Sequence, residues 1–334
     1  MHNNTQVISK TALVGIMFML CNTASLAISD IALKILRGEL PSPLIVFLYK
    51  FGLLIVTIPW IFFHGAKHIK TTKIHFHILR SFFGTFGAIS FAQGLKDISM
   101  VSAAAFENLQ YIVVVLLGAA FFNDRLTKTK IWAIVLGFVG ACIVINPSII
   151  KSLFIGDILS LSFNENPFAK YGYTILAISC WSVNSVLVKT LGNTEHNKTQ
   201  MFYLLVFSSM WSLPAAFIKW NIVEVLGHHM PILPSLYDPG IGILQTTHVL
   251  LLTLMGCCYF IHGIAYFNAL KHDLSIVIPF RYTKLIFSGF LGYTLFQEDI
   301  DRYSIAGYFL IICASFMLIR YEVRKRRKYK SIVK

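Results

Sequence analysis

The sequence predicts an all-α polytopic membrane protein of ten transmembrane helices built as an inverted five-plus-five repeat. Three observations predict this fold. Of 334 residues, 56% are hydrophobic and only 13% are charged. The apolar residues gather into runs close to the length, about 20 residues, that crosses a hydrocarbon core of about 30 Å. The second half also repeats the first. Shifted by 174 residues, Phe121, Phe122, Asn123 and Asp124 fall on Leu295, Phe296, Gln297 and Glu298, Phe106 on Phe280, Ile131 on Ile305 and Ile145 on Ile319. Two halves that each cross the bilayer an odd number of times are inverted relative to one another, which is the organisation of secondary transporters.

Taken in order, the spans fall near 11–36, 44–63, 76–95, 99–122, 130–146, 168–189, 201–219, 247–269, 274–296 and 303–320. The first run is far longer than a signal-peptide core and carries no small-residue cleavage pattern, so it reads as span one. The first five spans form a repeat over 1–146, an outer loop follows over 147–167, the second repeat covers 168–320, and 321–334 is a basic cytoplasmic tail. Gly84 with Ala88, Gly137 with Ala141 and Gly289 with Gly292 mark helix faces on which a neighbour in lipid can approach closely. In span nine Pro279 lacks a backbone donor and frees the carbonyl of Ser275, which predicts a kink. The connections 147–167 and 220–246 carry loop residues in place of an apolar stripe and read as surface loops.

Ten spans place both termini on one side. That side collects Lys10, Lys67, Lys70, Lys73, Arg125, Lys128, Lys130, Lys189, Lys198, Lys271 and the tail, so it reads as cytoplasmic. The formal charge of +14 follows from this bias and from the tail Arg320, Arg324, Lys325, Arg326, Arg327, Lys328, Lys330 and Lys334, which suits anionic headgroups. No recognition module or aromatic interleaving accompanies the charges, so nucleic acid is not an expected partner. The lipid bilayer is, and a homodimer stays open. Cys21, Cys142, Cys180, Cys257, Cys258 and Cys313 lie in apolar runs without metal-ligand spacing and read as small buried hydrophobes. Nothing in the chain calls for a cofactor or metal.

Ionisable residues inside a bilayer face a bundle interior or a wet cavity by default. Asp30 and Lys34 lie in helix one, Lys50 in helix two, Arg80 in helix three, Glu107 in helix four, and Arg281 and Lys284 in helix nine. Asp30 and Lys34 share a helical face and can neutralise one another. Arg80 either anchors at the cytoplasmic interface or holds a carboxylate or phosphate with two hydrogen bonds. Glu107 and Arg281 occupy equivalent repeat positions, each roughly 10 to 12 Å deep by helix rise. They read either as a structural ion pair or as an acid and a base that engage a zwitterionic solute. Phe106, Tyr111, Trp181 and Tyr282 stand beside these charges, as packing or as rings that stack on a base or a cation.

The segment LRSFFGTFGAISFAQGLKDISMVSAAAF from Leu79 to Phe106, together with the repeat, resembles the drug/metabolite transporter superfamily of the ten-helix, EamA-like type. The segment FRYTKLIFSGFLGYTLFQED from Phe280 to Asp299, with the ending Arg320, Tyr321, Glu322, is similar to the subgroup that includes S-adenosylmethionine uptake transporters of intracellular bacteria. Asp124, Arg125, Leu126 stand where the family often has Glu-Arg-Leu, and Tyr111 where it often has proline. The resemblance implies five helices per half, and an arginine at position 80 fits its pattern. S-adenosylmethionine carries a carboxylate for Arg281, an ammonium for Glu107 and a sulfonium for a ring.

The expected function is therefore a secondary transporter in the inner membrane that moves a small polar metabolite by alternating access. S-adenosylmethionine uptake or exchange leads. Export of amino acids or related metabolites and flipping of a lipid-linked substrate stay open. No ATP-binding loop of the form G-x-x-x-x-G-K-[ST] is present, which leaves a gradient or exchange to drive transport. If protons do so, Glu107 or Asp30 is the candidate carrier. An enzyme is not expected: His64 with His68 lacks the adjacent glutamate of a zinc protease, and His228 with His229 lacks a ligand set.

Overall fold

The computed structural model describes residues 2–63, 71–122, 127–145, 167–192, 195, 197–216, 245–269, 278–298 and 302–332. Among them run ten α-helices: α1 (His2–Glu39), α2 (Ser42–Phe63), α3 (Ile74–Gly94), α4 (Met100–Phe122), α5 (Lys128–Ile145), α6 (Pro167–Gly192), α7 (Asn197–Ala216), α8 (Thr246–Ala269), α9 (Thr283–Phe296) and α10 (Arg302–Ile332). A 3-10 turn over Ile278–Tyr282 leads into α9. Most of the expected span limits hold to within a few residues. The exceptions are α1, which starts earlier, α9, whose α-helix starts at Thr283 and not near 274, and α10, which continues through most of the basic tail. The connections 147–166 and 220–244, His64, His68, His228, His229, Asp124 and Arg125 lie outside the described residues.

Helix is the form these runs take because a backbone in hydrocarbon has no water to bond and must satisfy itself internally. Polar side chains on the helices follow the same rule. Ser182 donates to the Ile178 carbonyl at 2.7 Å and Thr57 to that of Leu53 at 2.6 Å. By length and composition six helices can cross a bilayer, in the windows Leu13–Glu39, Ser42–Pro59, Met100–Ala120, Lys128–Ile145, Tyr171–Val188 and Thr246–Tyr266. The outward faces suit lipid: Phe138, Ile286 and Phe290 leave most of their surface uncovered. In water each such side chain would forgo about 1.5–3 kcal/mol of burial. The chain is a multi-pass membrane protein.

The helices gather into two compact units, each assembled from both sequential halves. One unit comprises Met1–Ile31, Ser99–Phe163 and Cys257–Lys334. In it α5 packs along α10, and α4 packs against α9 and α10. A Cβ placed on Gly140 would lie 2.8 Å from the Gly307 carbonyl oxygen, and one on Gly307 would lie 2.8 Å from that of Gly140. The α5–α10 crossing is thus backbone against backbone. Ile112, Ala133 and Ala314 fill the core beside it. The start of α4 is capped twice: Ser99 Oγ accepts the Ser102 N–H at 3.1 Å, and Glu298 Oε2 accepts the Met100 N–H at 2.7 Å. Glu298 reaches that N–H from beyond the end of α9, where Gln297 turns the chain with a left-handed φ of 52°.

The other unit comprises Ala32–Ile98 and Asn164–Gly256. Here α3 packs on α6 and α7, and α2 on α7 and α3. The close approach on α3 is carried by Gly87 and Gly94, not by the expected Gly84 and Ala88. A Cβ on Gly87 would meet the Trp181 ring at 2.7 Å and one on Gly94 the Thr174 hydroxyl at 2.5 Å, whereas Gly84 has ordinary contacts from 3.8 Å. The cysteines also divide differently from expectation. Cys180 and Cys258 are buried, but Cys21 and Cys257 lie on exposed helix faces.

Candidate functional site

The unit that holds α4, α5, α9 and α10 contains a buried charge centre drawn from three helices. Lys284, near the start of α9, places its ammonium 2.7 Å from Asp30 Oδ2 of α1 and 2.5 Å from Glu107 Oε2 of α4. Glu107 Oε1 also accepts from it, at 2.6 Å. The side chains of Lys284 and Asp30 are 8% and 5% exposed, that of Glu107 17%. Two carboxylates on one ammonium form hydrogen bonds of the strong, charge-assisted kind. Outside such an arrangement each ion would cost several kcal/mol to bury.

Two sequence expectations are corrected here. Asp30 pairs with Lys284 and not with Lys34 on its own helix; Lys34 donates to the Ile98 carbonyl at 2.8 Å. Glu107 pairs with Lys284 and not with its repeat-equivalent Arg281. Repeat alignment selects the right two helices but misses the partner by one turn of the chain.

Arg281 sits in the 3-10 turn that contains Pro279 and leads into α9; Ser275, ahead of the expected kink, lies outside the described residues. Its guanidinium carbon lies 5.1 Å from the Tyr111 ring centre and 5.5 Å from that of Tyr266. Stacking on rings uses the faces of a guanidinium and leaves its N–H edge for an acceptor. Among the described residues that edge makes no hydrogen bond. Tyr282 follows directly, with its hydroxyl buried near Ser315 of α10.

Polar neighbours on α1 and α8 extend the centre. The Asn22 amide donates to His262 Nδ1 at 2.8 Å and to the His262 carbonyl at 2.9 Å. A carbonyl only accepts, so the atom facing it is the amide nitrogen, and Nδ1 must then be an acceptor. That makes His262 neutral with its proton on Nε2. Thr23 and Thr283 hydroxyls meet at 2.9 Å. Asn22, Thr23, His262 and Tyr266 were not singled out from the sequence. A signal exists for α8: Tyr259, His262 and Tyr266 recur at helical spacing on an otherwise apolar segment, and their rings stand in sequence along it.

The remaining candidates have other surroundings. Phe106 is among the largest fully buried side chains. Trp181 belongs to the other unit, where its ring packs against Phe91 at 5.1 Å and over Gly87. Arg80, in that same unit, is buried on α3 and donates from Nη1 to the Gln200 side-chain oxygen at 3.3 Å. One turn earlier on α3, His77 Nε2 lies 2.5 Å from Glu195 Oε2, and Thr71 also donates to Glu195. Among the described residues no group of side chains has the composition of a metal site.

Residues 13–146 match the EamA-like transporter family. The chain is 25% identical to the S-adenosylmethionine uptake transporter of Rickettsia felis, across 96% of this chain and 98% of that relative. It is 19% identical to the pseudopaline exporter CntI of Pseudomonas aeruginosa, across 73% of this chain and 74% of the relative. A crystal structure superposes with a TM-score of 0.53 at 16% identity and covers 92% of this chain and 96% of that one, a likeness of fold alone. These names indicate transport and not catalysis.

Proposed function

We propose, from the match of residues 13–146 to the EamA-like transporter family, that the whole chain is a secondary transporter of ten spans. Both termini are cytoplasmic in the inner membrane, and two inverted five-helix halves work by alternating access. The pairing of α2 with α7, α4 with α9 and α5 with α10 supports the repeat, because each couples a helix to the one five places along.

The transported solute is a small zwitterionic metabolite, and S-adenosylmethionine taken up or exchanged is the leading candidate. The observation that carries this reading is the buried Asp30–Lys284–Glu107 centre with the unspent N–H edge of Arg281 on the same short segment. A solute carboxylate fits that edge bidentately. A solute ammonium competes with Lys284 for Glu107 and Asp30. Tyr111 and Tyr282 stand by for a sulfonium or a base. Phe106 on α4, and Arg80 and Trp181 within the other unit, are the further candidate contacts for the solute. The near full-length similarity to a protein named as an S-adenosylmethionine uptake transporter supports the choice of solute.

Uptake of labelled S-adenosylmethionine into proteoliposomes holding this protein tests the reading, with S-adenosylhomocysteine, nucleosides and amino acids as competitors. Saturable uptake that S-adenosylhomocysteine competes for is the expected result. Absence of both uptake and exchange by folded protein would sink the solute assignment. A second reading, export of an amino-acid-like metabolite, is favoured by the similarity to a protein named as an exporter. The same vesicles loaded with labelled amino acids distinguish it.

A further inference from the structure

Lys50 on α2 is a buried lysine that the charge centre does not use. It is 8% exposed and lies inside the apolar window Ser42–Pro59. Its one hydrogen bond among the described residues is to Thr85 Oγ1 of α3 at 3.1 Å. The described acids of its unit are spent or placed elsewhere. Glu39 pairs with His248 and Glu195 with His77, both at helix ends, and Asp97 stands in the exposed turn after α3. An ammonium has three N–H donors, so two of these have no acceptor. Once Thr85 accepts from Lys50, its own proton is also available. One turn back on the same α3 face, Ser81 is fully buried and its hydroxyl has no partner.

Among the described residues Lys50, as an ammonium, Thr85 and Ser81 therefore present four donor protons and one positive charge, with no acceptor and no counter-charge. Buried polar groups are paired in folded proteins, and a lone buried ion is the costliest exception. A small anion resolves the charge and the hydrogen bonding at once. We propose that Lys50, Thr85 and Ser81 form a binding site for a small monovalent anion, a halide or a carboxylate, within the α2–α3 pair. The site is built from residues of one unit alone and does not depend on which solute is carried.

The test is the melting temperature of the purified full-length protein at constant ionic strength, as sodium chloride or sodium acetate replaces sodium isethionate, whose sulfonate is too bulky to enter. The wild type is expected to show a saturable rise with at least one salt, and that rise disappears in Lys50→Met. A rise with chloride alone assigns an inorganic anion; a rise with acetate assigns a site that accepts a carboxylate. Ser81→Ala and Thr85→Val keep the lysine and are expected to move the midpoint about tenfold higher in concentration, the scale of one hydrogen bond to a charge. No rise in the wild type with either salt, or the same rise in Lys50→Met, overturns the site. If Lys50→Met does not fold, an unchanged midpoint in both hydroxyl variants overturns it as well. Failure of S-adenosylmethionine uptake leaves this outcome untouched.

Discussion

The two units treat their buried lysines in opposite ways. Among the described residues of the α4, α5, α9 and α10 unit, Asp30 and Glu107 share Lys284, and Arg281 lies against two tyrosine rings. Among the described residues of the α2, α3, α6 and α7 unit, Lys50 hydrogen-bonds only to a threonine hydroxyl and Arg80 only to the oxygens of Gln200. The difference decides what removal of a cation does. Taking one partner from a buried ion pair strands the others, whereas taking away a lone buried ion relieves a desolvation cost.

The sharpest way to break the comparison is to replace one lysine in each unit. Lys284→Met leaves two carboxylates facing each other without their ammonium and is expected to destabilise the protein by about 3–5 kcal/mol and abolish transport. Lys50→Met, in isethionate buffer without chloride or acetate, is expected to be neutral or stabilising. Thermal denaturation of both variants in the same detergent checks this. Equal losses would mean that Lys50 has a counter-charge after all. Adding Asp30→Asn and Glu107→Gln to Lys284→Met is expected to recover stability without recovering transport, which separates the structural from the functional share of the centre.

Packing sharpens the contrast next. Gly140 abuts the Gly307 carbonyl, which belongs to a helix backbone, while the nearest neighbour of Gly87 is the side chain of Trp181. A helix axis must shift to admit a new methyl in the first case; a ring can turn in the second. Gly140→Ala is expected to cost about 1–3 kcal/mol, as overpacking does, and Gly87→Ala less. Denaturation midpoints of the pair measure it, and the reverse order would place the tighter crossing in the α3–α6 pair.

Much of this was legible in the sequence, and the part that was not has a physical reason. Helix positions follow from apolar runs, because length and composition alone decide whether a segment can sit in lipid. Pro279 marks a weak point in the expected span nine, since it lacks an N–H for the ladder, and it stands in a 3-10 turn ahead of α9. Partners were harder. Asp30 and Lys284 are 254 positions apart in sequence, and no periodicity within one helix reports which turn of another helix it meets. Lys34 seemed the natural partner because spacing within a helix is visible and packing between helices is not. The Gly84 and Gly87 exchange has the same origin: both are small, and only the packing shows which one faces Trp181.

Arg281 offers a smaller effect that bears on function. Arg281→Lys keeps the charge at the centre but gives up the planar stack on Tyr111 and Tyr266 and the forked N–H edge. Loss of the stack alone is about 0.5–2 kcal/mol. The expected outcome is a folded protein with KM for the zwitterionic solute raised several-fold or more. Uptake kinetics in proteoliposomes check this; an unchanged KM would mean that the solute carboxylate binds elsewhere.

The smallest expected effect compares two helix starts. Helix α4 begins with its Met100 N–H on the Glu298 carboxylate, an acid at the positive end of a helix dipole. Helix α3 begins at Lys73, whose side chain makes no capping hydrogen bond and brings a positive charge to the same kind of position. Glu298→Gln keeps an acceptor for the Met100 N–H and removes only the charge, so it is expected to cost about 0.3–1 kcal/mol at low ionic strength, and less as salt screens the dipole. Lys73→Ser supplies a capping oxygen and removes the unfavourable charge, so it is expected to stabilise by about 0.5–1 kcal/mol. Melting temperatures of both variants at low and high salt give the signs. If Glu298→Gln loses the same stability at both salts, the carboxylate acts through the geometry of its hydrogen bond and not through its charge.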